Sequence, residues 1–126
     1  MTRSLIAVAV AMLAGATALA HHSFDAEYDS NKVANISGFV TKVDWQNPHA
    51  FVYVDVADQG GAVKSYRVEM GPPYALVRGG WKKDTLKVGD KVTVEGAALA
   101  KDGTNAAGSM PTTMMVLSTG QKLVMR

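Results

Sequence analysis

Histidine is the residue type of this chain with the clearest capacity for metal chemistry, and the sequence contains three of them. His21 and His22 are adjacent, and His49 directly follows Asn47-Pro48. Neutral imidazole nitrogens bind Cu(II), Ni(II) and Zn(II), so three histidines brought together could hold one ion. The chain contains no cysteine, which excludes disulfides, thiolate zinc sites, iron–sulfur clusters and a thiolate nucleophile.

His21 becomes a special ligand if proteolysis makes it the first residue of the mature chain. The α-amine and the imidazole Nδ1 of a terminal histidine close a chelate ring on one ion. Both groups can lose their protons to a metal at neutral pH, because their reference pKa values are about 8 and about 6.5. His22 or His49 could add a third nitrogen, and Pro48 restricts the turn that carries His49. Such a nitrogen-rich set favours copper and resembles, in geometry, the histidine brace of copper proteins.

The same histidines also have a purely structural interpretation. Terminal residues are usually mobile, so His21 and His22 could have no role there. His49 could cap its turn through hydrogen bonds to backbone carbonyl groups. The metal-binding hypothesis therefore depends on a free His21 that lies within reach of His49.

Two other groups of side chains could bind a ligand, and packing is the favoured interpretation of both. Thioethers are soft ligands for Cu(I), and Met110 and Met114 lie close in sequence. Methionine also fills gaps in hydrophobic cores, and the five that follow residue 20 fit that use: Met70, Met110, Met114, Met115 and Met125. An aromatic platform for sugars or oligonucleotides could be built from Trp45, Phe51 and Tyr53. We expect Trp45 to be in the core and the other two to cover the N-terminal arm.

The sequence offers no recognisable catalytic constellation. Asp25, Glu27 and Asp29 are clustered carboxylates, but they lie in a polar segment that leaves them solvated. Ser23 next to His22 is a neighbour in sequence, whereas a catalytic triad is defined by its spatial geometry. A copper oxidase of polysaccharides would need a broader scaffold than this chain supplies. We therefore predict no catalytic residues and a protein that is not an enzyme.

Residues 1–20 have the pattern of a secretory signal peptide. Arg3 gives a positive n-region, Leu5 to Leu13 is an unbroken apolar h-region, and Ala18-Leu19-Ala20 is a small-x-small cleavage motif. Cleavage after Ala20 would free His21, although nearby alanines allow other positions. The apolar stretch is marginal for a membrane anchor, and no Cys follows it for lipid attachment. The pattern predicts export, most simply to the periplasm, without stable membrane insertion after cleavage.

Composition limits the classes of protein that remain. Removing 20 of 126 residues leaves 106, enough for one small domain and too few for two. Hydrophobic residues make up 48% of the chain and charged residues 19%, an ordinary globular balance. Without Arg3 the basic residues fall from 13 to 12 against 11 acidic ones, a net charge near +1. That charge argues against a nucleic-acid partner.

Alternating apolar residues predict an all-β fold in the mature chain. We divide the chain into a signal peptide (1–20), a polar N-terminal arm that is extended or irregular (21–34, with residue 35 also polar) and a β domain (35–126). The expected elements are strands near 36–45, 50–56, 65–70 and 92–94, a helix from Pro73 to Gly79, a loop at 101–109 and a hairpin at 113–117 and 122–125. In the first strand, Gly38 is expected to mark a change of buried face.

The order of these elements is that of a small OB-type β-barrel with five to six strands and one short helix between strands 3 and 4. Closure of the sheet would remove the exposed edges of so small a structure. A β-sandwich is the competing arrangement, and it needs about seven strands. The single helix favours the barrel.

Several motifs together resemble a known family of small exported bacterial proteins that is catalogued as a domain of unknown function. They are His21-His22-Ser23-Phe24, Glu27-Tyr28-Asp29 and Trp45-Gln46-Asn47-Pro48-His49, followed by an aromatic-valine strand. The likeness continues through Gly80-Trp81, residues 84–90 and residues 101–103, and so covers essentially the whole mature chain. It implies secretion and a barrel fold, and it brings no established activity or ligand.

Taken together, the sequence predicts a periplasmic binding protein that holds copper through His21, with His22 or His49 completing the set. The first alternative is a metal-free periplasmic binding module, which presents its barrel face or the Gly80-Trp81 region to a protein or small-molecule ligand. The second alternative is a minor copper-dependent redox enzyme.

Overall fold

The computed structural model describes residues 23–126, and within this range it contains two short helices and seven strands. All seven strands belong to one sheet. In chain order the elements are α1 (residues 23–27), β1 (Tyr28–Asp44), β2 (Phe51–Ala57), β3 (Val63–Glu69), α2 (Pro73–Arg78), β4 (Lys91–Ala100), β5 (Ala106–Gly108), β6 (Met114–Leu117) and β7 (Lys122–Val124). The predicted all-β class is confirmed. No helix in residues 23–126 combines the length and the apolar character needed to cross a bilayer.

Strand pairing follows the order β1-β2-β3-β5-β4-β6-β7, with a further pairing between β1 and β4. The first part of β1, from Tyr28 to Phe39, pairs with β4, and the last part, from Phe39 to Asp44, pairs with β2. The pairing of β3 with β5 is parallel, and the other pairings are antiparallel. A parallel pair needs a crossover connection, which α2 and β4 supply between β3 and β5.

The change of buried face in β1 coincides with a register shift. Val40 is buried, and Val43, three residues later, also packs against the core. The pairing with β2 shifts between Val40 and Lys42, and one extra residue reverses the alternation of a strand. The predicted position of this change, Gly38, is therefore wrong. Gly38 serves a close approach instead, because a Cβ there would overlap the carbonyl oxygen of Asp55.

The core is built from aliphatic and methionine side chains of the sheet and α2. Its fully buried members include Val40, Val52, Val54, Val68, Val94, Met70, Met115, Met125 and Leu76. Trp81 joins them at 2% exposure, and its indole Nε1 donates a hydrogen bond to the Val124 carbonyl oxygen at 2.7 Å. Trp81 therefore belongs to the core, whereas the neighbouring Gly80 is exposed, and the presentation of the Gly80-Trp81 region to a partner stays a prediction.

The central hairpin, the helix and the last hairpin are confirmed as predicted elements. β2 and β3 pair in register across a turn in which Asp58 Oδ1 accepts hydrogen bonds from the amides of Gly60 and Ala62. α2 begins at Pro73 between β3 and β4, and the Gly79 amide donates to carbonyl groups of its last turn. β6 and β7 form the last hairpin.

Two segments differ from the prediction. The described part of the arm, expected to be extended or irregular, is helical at 23–27 and extended from Tyr28, where β1 begins and pairs with Ala97 to Ala100 of β4. The expected loop at 101–109 contains β5, which bonds to β3 on one side and β4 on the other. Neither segment has the apolar–polar alternation that reveals a strand in sequence. The resulting seven strands exceed the five to six predicted, but they form one sheet, whereas a sandwich needs two.

Candidate functional site

The central hairpin fixes the backbone on which His49 lies. The pairing of β2 with β3 continues past the strand ends, because the Ala50 amide donates to Gly71 O at 3.1 Å and the Met70 amide donates to Ala50 O at 2.8 Å. Phe51 stands opposite Glu69 in the register. His49 therefore lies diagonally across from Glu69 on the same face of the hairpin, within reach of its side chain.

His49 and Glu69 form a direct side-chain pair. The Nδ1 atom of His49 is 2.7 Å from Oε1 of Glu69, with side-chain exposures of 40% and 19%. Among the described residues, the other ring nitrogen, Nε2, has no hydrogen-bond partner. The expectation that His49 caps its turn through backbone carbonyls is therefore wrong, because its partner is a carboxylate. The Asn47–Pro48 peptide bond that precedes His49 is cis.

Tyr28 lies next to Glu69 of this pair. The Tyr28 side chain is almost fully buried, next to the Glu69 carboxylate. Burial, and then the nearby negative charge of Glu69, raise the pKa of the Tyr28 hydroxyl well above its usual range. The hydroxyl is therefore neutral at physiological pH and remains available as a hydrogen-bond donor.

The start of the described chain is packed onto the sheet by aromatic contacts. The rings of Phe24 and Tyr28 lie with their centroids 5.0 Å apart. Both rings rest against Gly108, where an added Cβ would come within 2.6 to 2.8 Å of their atoms. The guanidinium of Arg126 lies 5.0 Å from the Phe24 ring centroid, and its Nη1 donates to Ser109 O at 3.1 Å. These contacts hold α1 against β5.

Lys101 attaches α1 from the other side. Its backbone amide donates to Glu27 O at 2.9 Å, and its Nζ donates to the carbonyl oxygen of Asp25. The described part of the N-terminal arm is thus fixed both by ring packing and by hydrogen bonds. Fraying of a terminal segment requires the absence of such contacts, so the argument from terminal mobility does not apply to residues 23–27.

His49 and the start of the described chain share one cleft. It has a volume of about 250 Å³ and is lined by Ser23, Phe24, Glu27, His49, Glu69 and Arg126. Two of these side chains, Glu27 and Glu69, are acidic, Arg126 is basic, and the His49 imidazole can take or release a proton. We call this cavity the His49 cleft. Glu69 and Arg126 are parts of it that the sequence analysis did not single out.

The structure describes one member of the predicted ligand set. His49 lies in the cleft, whereas His21 and His22 lie outside the described residues. Within residues 23–126, no group of three or more His, Cys, Asp and Glu side chains could hold a metal ion by itself. The set of His21, His22 and His49 therefore stays a prediction.

Burial and contacts describe the remaining candidates, of which Met110 and Met114 are half-buried. Met70, Met115 and Met125 are buried, which confirms their predicted use in the core. Trp45 packs partly buried against the core as expected. The rings of Phe51 and Tyr53 are instead approached by the cations of Arg67, at 3.8 Å, and Lys42, at 5.2 Å.

A second, larger cleft lies next to the His49 cleft. It has a volume of about 500 Å³ and is lined by polar groups that include Glu27, Tyr28, Arg67, Lys101, Asp102 and Thr104. Glu27 also lines the His49 cleft. We call this cavity the Arg67 cleft, because the Arg67 guanidinium is stacked on Phe51 and has no carboxylate within ion-pair distance among residues 23–126.

Fold and cleft together define a small, single-sheet β protein with a histidine–carboxylate pair in a cleft that α1 also lines. A model of a family of unknown function, DUF6152, matches residues 8–109. The match spans most of the chain, so the chain belongs to this family, and the predicted membership of a family of unknown function is confirmed. A search of curated proteins and a search of solved structures return no match.

Proposed function

We propose that this protein is exported to the periplasm and binds one copper ion at the His49 cleft, without turning over a substrate. His21 contributes its α-amine and imidazole, and the Nε2 atom of His49 contributes a third nitrogen. His22 is the alternative source of that nitrogen. Three nitrogen donors of this kind suit Cu(II) in a tetragonal arrangement.

The observation that carries the proposal is the cleft shared by Ser23 and His49. Consecutive Cα atoms are about 3.8 Å apart, so the Cα atom of His21 is within about 8 Å of that of Ser23. The chain between Ser23 and His21 is therefore short enough for the proposed contact with the cleft. The Nδ1 atom of His49 is occupied by Glu69, which leaves Nε2 as the nitrogen available to an ion.

We further propose that the sheet is an OB-type barrel. The pairings run β1-β2-β3-β5-β4 and return to β1, and the parallel pair of β3 with β5 carries the crossover. A helix between β3 and β4 completes the order expected for this fold. In such a barrel the His49 cleft lies where α1 packs against the β3 and β5 strands.

A specific observation also favours a second function, that of a metal-free binding module. The stacked Arg67 guanidinium faces a polar cleft of about 500 Å³. A planar guanidinium held by an aromatic ring is well suited to a carboxylate-bearing small molecule. On this alternative, the ligand is an organic anion and the histidines have no metal.

The test begins with the mass of the exported protein, which must correspond to a chain starting at His21. Copper titration by calorimetry then compares this protein with His21→Ala, His49→Ala and a matched control that retains Ala20 before His21. The control keeps every side chain and removes only the terminal chelate. We expect each of the three changes to weaken copper binding by about 100-fold or more, beyond the range of outer-shell effects.

The outcomes separate the candidates. A Kd of 1 μM corresponds to about 8 kcal/mol of binding free energy. A parent protein that binds copper more weakly than this contradicts the copper proposal and favours the anion-binding module. An unchanged affinity in His49→Ala transfers the third nitrogen to His22. Oxygen-dependent turnover by the copper-loaded protein would establish a redox enzyme in place of a binding protein.

A further inference from the structure

We propose that Glu69 is a positioning residue for His49: it fixes the hydrogen on Nδ1 and thereby presents the unprotonated Nε2 to the cleft. The part of this inference that concerns metal affinity rests on the proposed function. The part that concerns the tautomer of His49 does not, because it is a property of the metal-free protein.

His49 and Glu69 pair an imidazole with a carboxylate. The Oε1 atom of Glu69 is 2.7 Å from Nδ1 of His49, a hydrogen-bonding distance. An ionised carboxylate can only accept hydrogen bonds, so the shared hydrogen belongs to Nδ1. In a neutral imidazole the lone pair then lies on Nε2. Outer partners of this kind set the tautomer and the ring orientation of histidine ligands.

Glu69 is itself held firmly, which a positioning residue requires. Its backbone lies in β3 between two strands, opposite Phe51 of β2 and opposite Gly108 of β5. The Glu69 carbonyl oxygen accepts a hydrogen bond from the Ser109 amide at 2.9 Å. The side chain is only 19% exposed, with the buried Tyr28 next to its carboxylate. Little rotamer freedom remains to be lost when Glu69 bonds to His49.

The His49–Glu69 pair lies at the His49 cleft. Both side chains line the His49 cleft, together with Ser23 from the start of the described chain. A hydrogen fixed on Nδ1 points toward Glu69, which is the last residue of β3. The other ring nitrogen, Nε2, has no hydrogen-bond partner among residues 23–126, and the cleft that His49 lines is also lined by Ser23.

The test uses nitrogen-15 NMR of the histidine ring in the exported, metal-free protein. Correlations between ring nitrogens and carbon-bound hydrogens distinguish a protonated Nδ1 from a protonated Nε2. We expect the parent to have its hydrogen on Nδ1. Glu69→Gln replaces a pure acceptor by an amide that can donate or accept, so the variant is expected to populate both tautomers.

The matched control is Glu95→Gln. Glu95 is an exposed carboxylate on β4 that pairs with Lys122, outside both clefts. This variant is expected to retain the His49 tautomer of the parent. Thermal unfolding of each variant verifies that the fold is intact. In copper titration, Glu69→Gln is expected to bind about 10- to 100-fold more weakly than the parent, as for other outer-shell partners.

A parent with its hydrogen on Nε2, or a Glu69→Gln variant with an unchanged ring pattern, overturns the inference. Unchanged copper affinity in a variant with an altered tautomer overturns the role in metal binding. A parent that has its hydrogen on Nδ1 but binds no copper contradicts the proposed function while supporting the tautomer assignment. Failure of the two proposals is thus distinguishable.

Discussion

His49 and Trp81 are two ring residues that a reader of the sequence would single out, and the structure gives them opposite surroundings. The Trp81 ring is 2% exposed, and its one polar atom, Nε1, is bonded to Val124 O. The His49 side chain is 40% exposed and has two ring nitrogens, of which one is bonded to Glu69. Trp81 has its hydrogen-bonding capacity filled inside the core, whereas His49 lines a cleft and has one ring nitrogen, Nε2, without a partner among residues 23–126.

This difference separates a structural ring from a candidate ligand. A buried N–H with a backbone partner contributes to stability and has nothing left to offer a ligand. A ring oriented by one nitrogen and open at the other is prepared to bind. The predictions below test this contrast through stability on the Trp81 side and through the packing of α1 and Tyr28 on the His49 side.

The largest effect is expected for Trp81→Ala, which removes a buried indole and its hydrogen bond to Val124. The free energy of unfolding should fall by about 3–5 kcal/mol, as for other large core truncations. Urea denaturation followed by circular dichroism measures it. Tyr74→Ala, at a residue that is 65% exposed, is the control and should change stability by less than about 0.5 kcal/mol. A loss below about 1 kcal/mol for Trp81→Ala would contradict its place in the core.

A smaller effect is expected for Gly108→Ala on the other side of the comparison. The new methyl group would meet the rings of Phe24 and Tyr28, so α1 must shift. Such overpacking costs about 1–3 kcal/mol, and copper binding should weaken with it. Gly60→Ala adds a methyl group where the nearest atom is 3.4 Å away, and it should leave both measurements unchanged. Equal stability of the two variants would contradict the packing of α1 on β5.

The smallest effect at neutral pH is expected for Tyr28→Phe, and it grows in alkaline solution. The folded state keeps the Tyr28 hydroxyl protonated, because its pKa is raised by burial and by Glu69. The unfolded chain ionises near pH 10, so the parent loses free energy of unfolding as the pH rises above that value.

The contribution of Tyr28 to this loss is at most about 1.4 kcal/mol per pH unit. Tyr28→Phe should remove it, while Tyr74→Phe, at the exposed tyrosine, should retain the pH dependence of the parent. Chemical denaturation at a series of pH values from 8 to about 11 measures the slopes. Identical slopes in all three proteins would show that Tyr28 is not buried beside Glu69.

The sequence predicts the regular parts of the fold because their signals are local. Alternation in β2 and β3, and Pro73 followed by Gly79 around α2, are patterns within a few residues. The sequence does not predict β5, because residues 106–108 have no alternation of apolar and polar side chains. They adopt the strand conformation through pairing with β3 and β4. The formation of such a short strand depends on long-range pairing, which cannot be predicted from the residues of the segment alone.

The candidate site follows the same rule. His49 can be found from its chemistry and its place after Pro48. Its partner Glu69 depends on the register of the hairpin, in which Ala57 pairs with Val63 and Phe51 with Glu69. The length of the turn from Asp58 to Ala62 determines this register. Pairing the residues on either side of the turn one by one would therefore have placed Glu69 opposite Phe51 and near His49. Arg126, by contrast, reaches Phe24 through tertiary packing that no local pattern encodes.

Glu27 lines both the His49 cleft and the Arg67 cleft, and its carbonyl oxygen is bonded to Lys101. The helical turn at 23–27 therefore separates the His49 cleft from the Arg67 cleft, and each cleft is large enough for a small ligand. A molecule that binds in one cleft and suppresses the local opening of this turn also stabilises the lining of the other cleft. Slower amide hydrogen exchange at residues 23–27 therefore reports occupancy of either cleft.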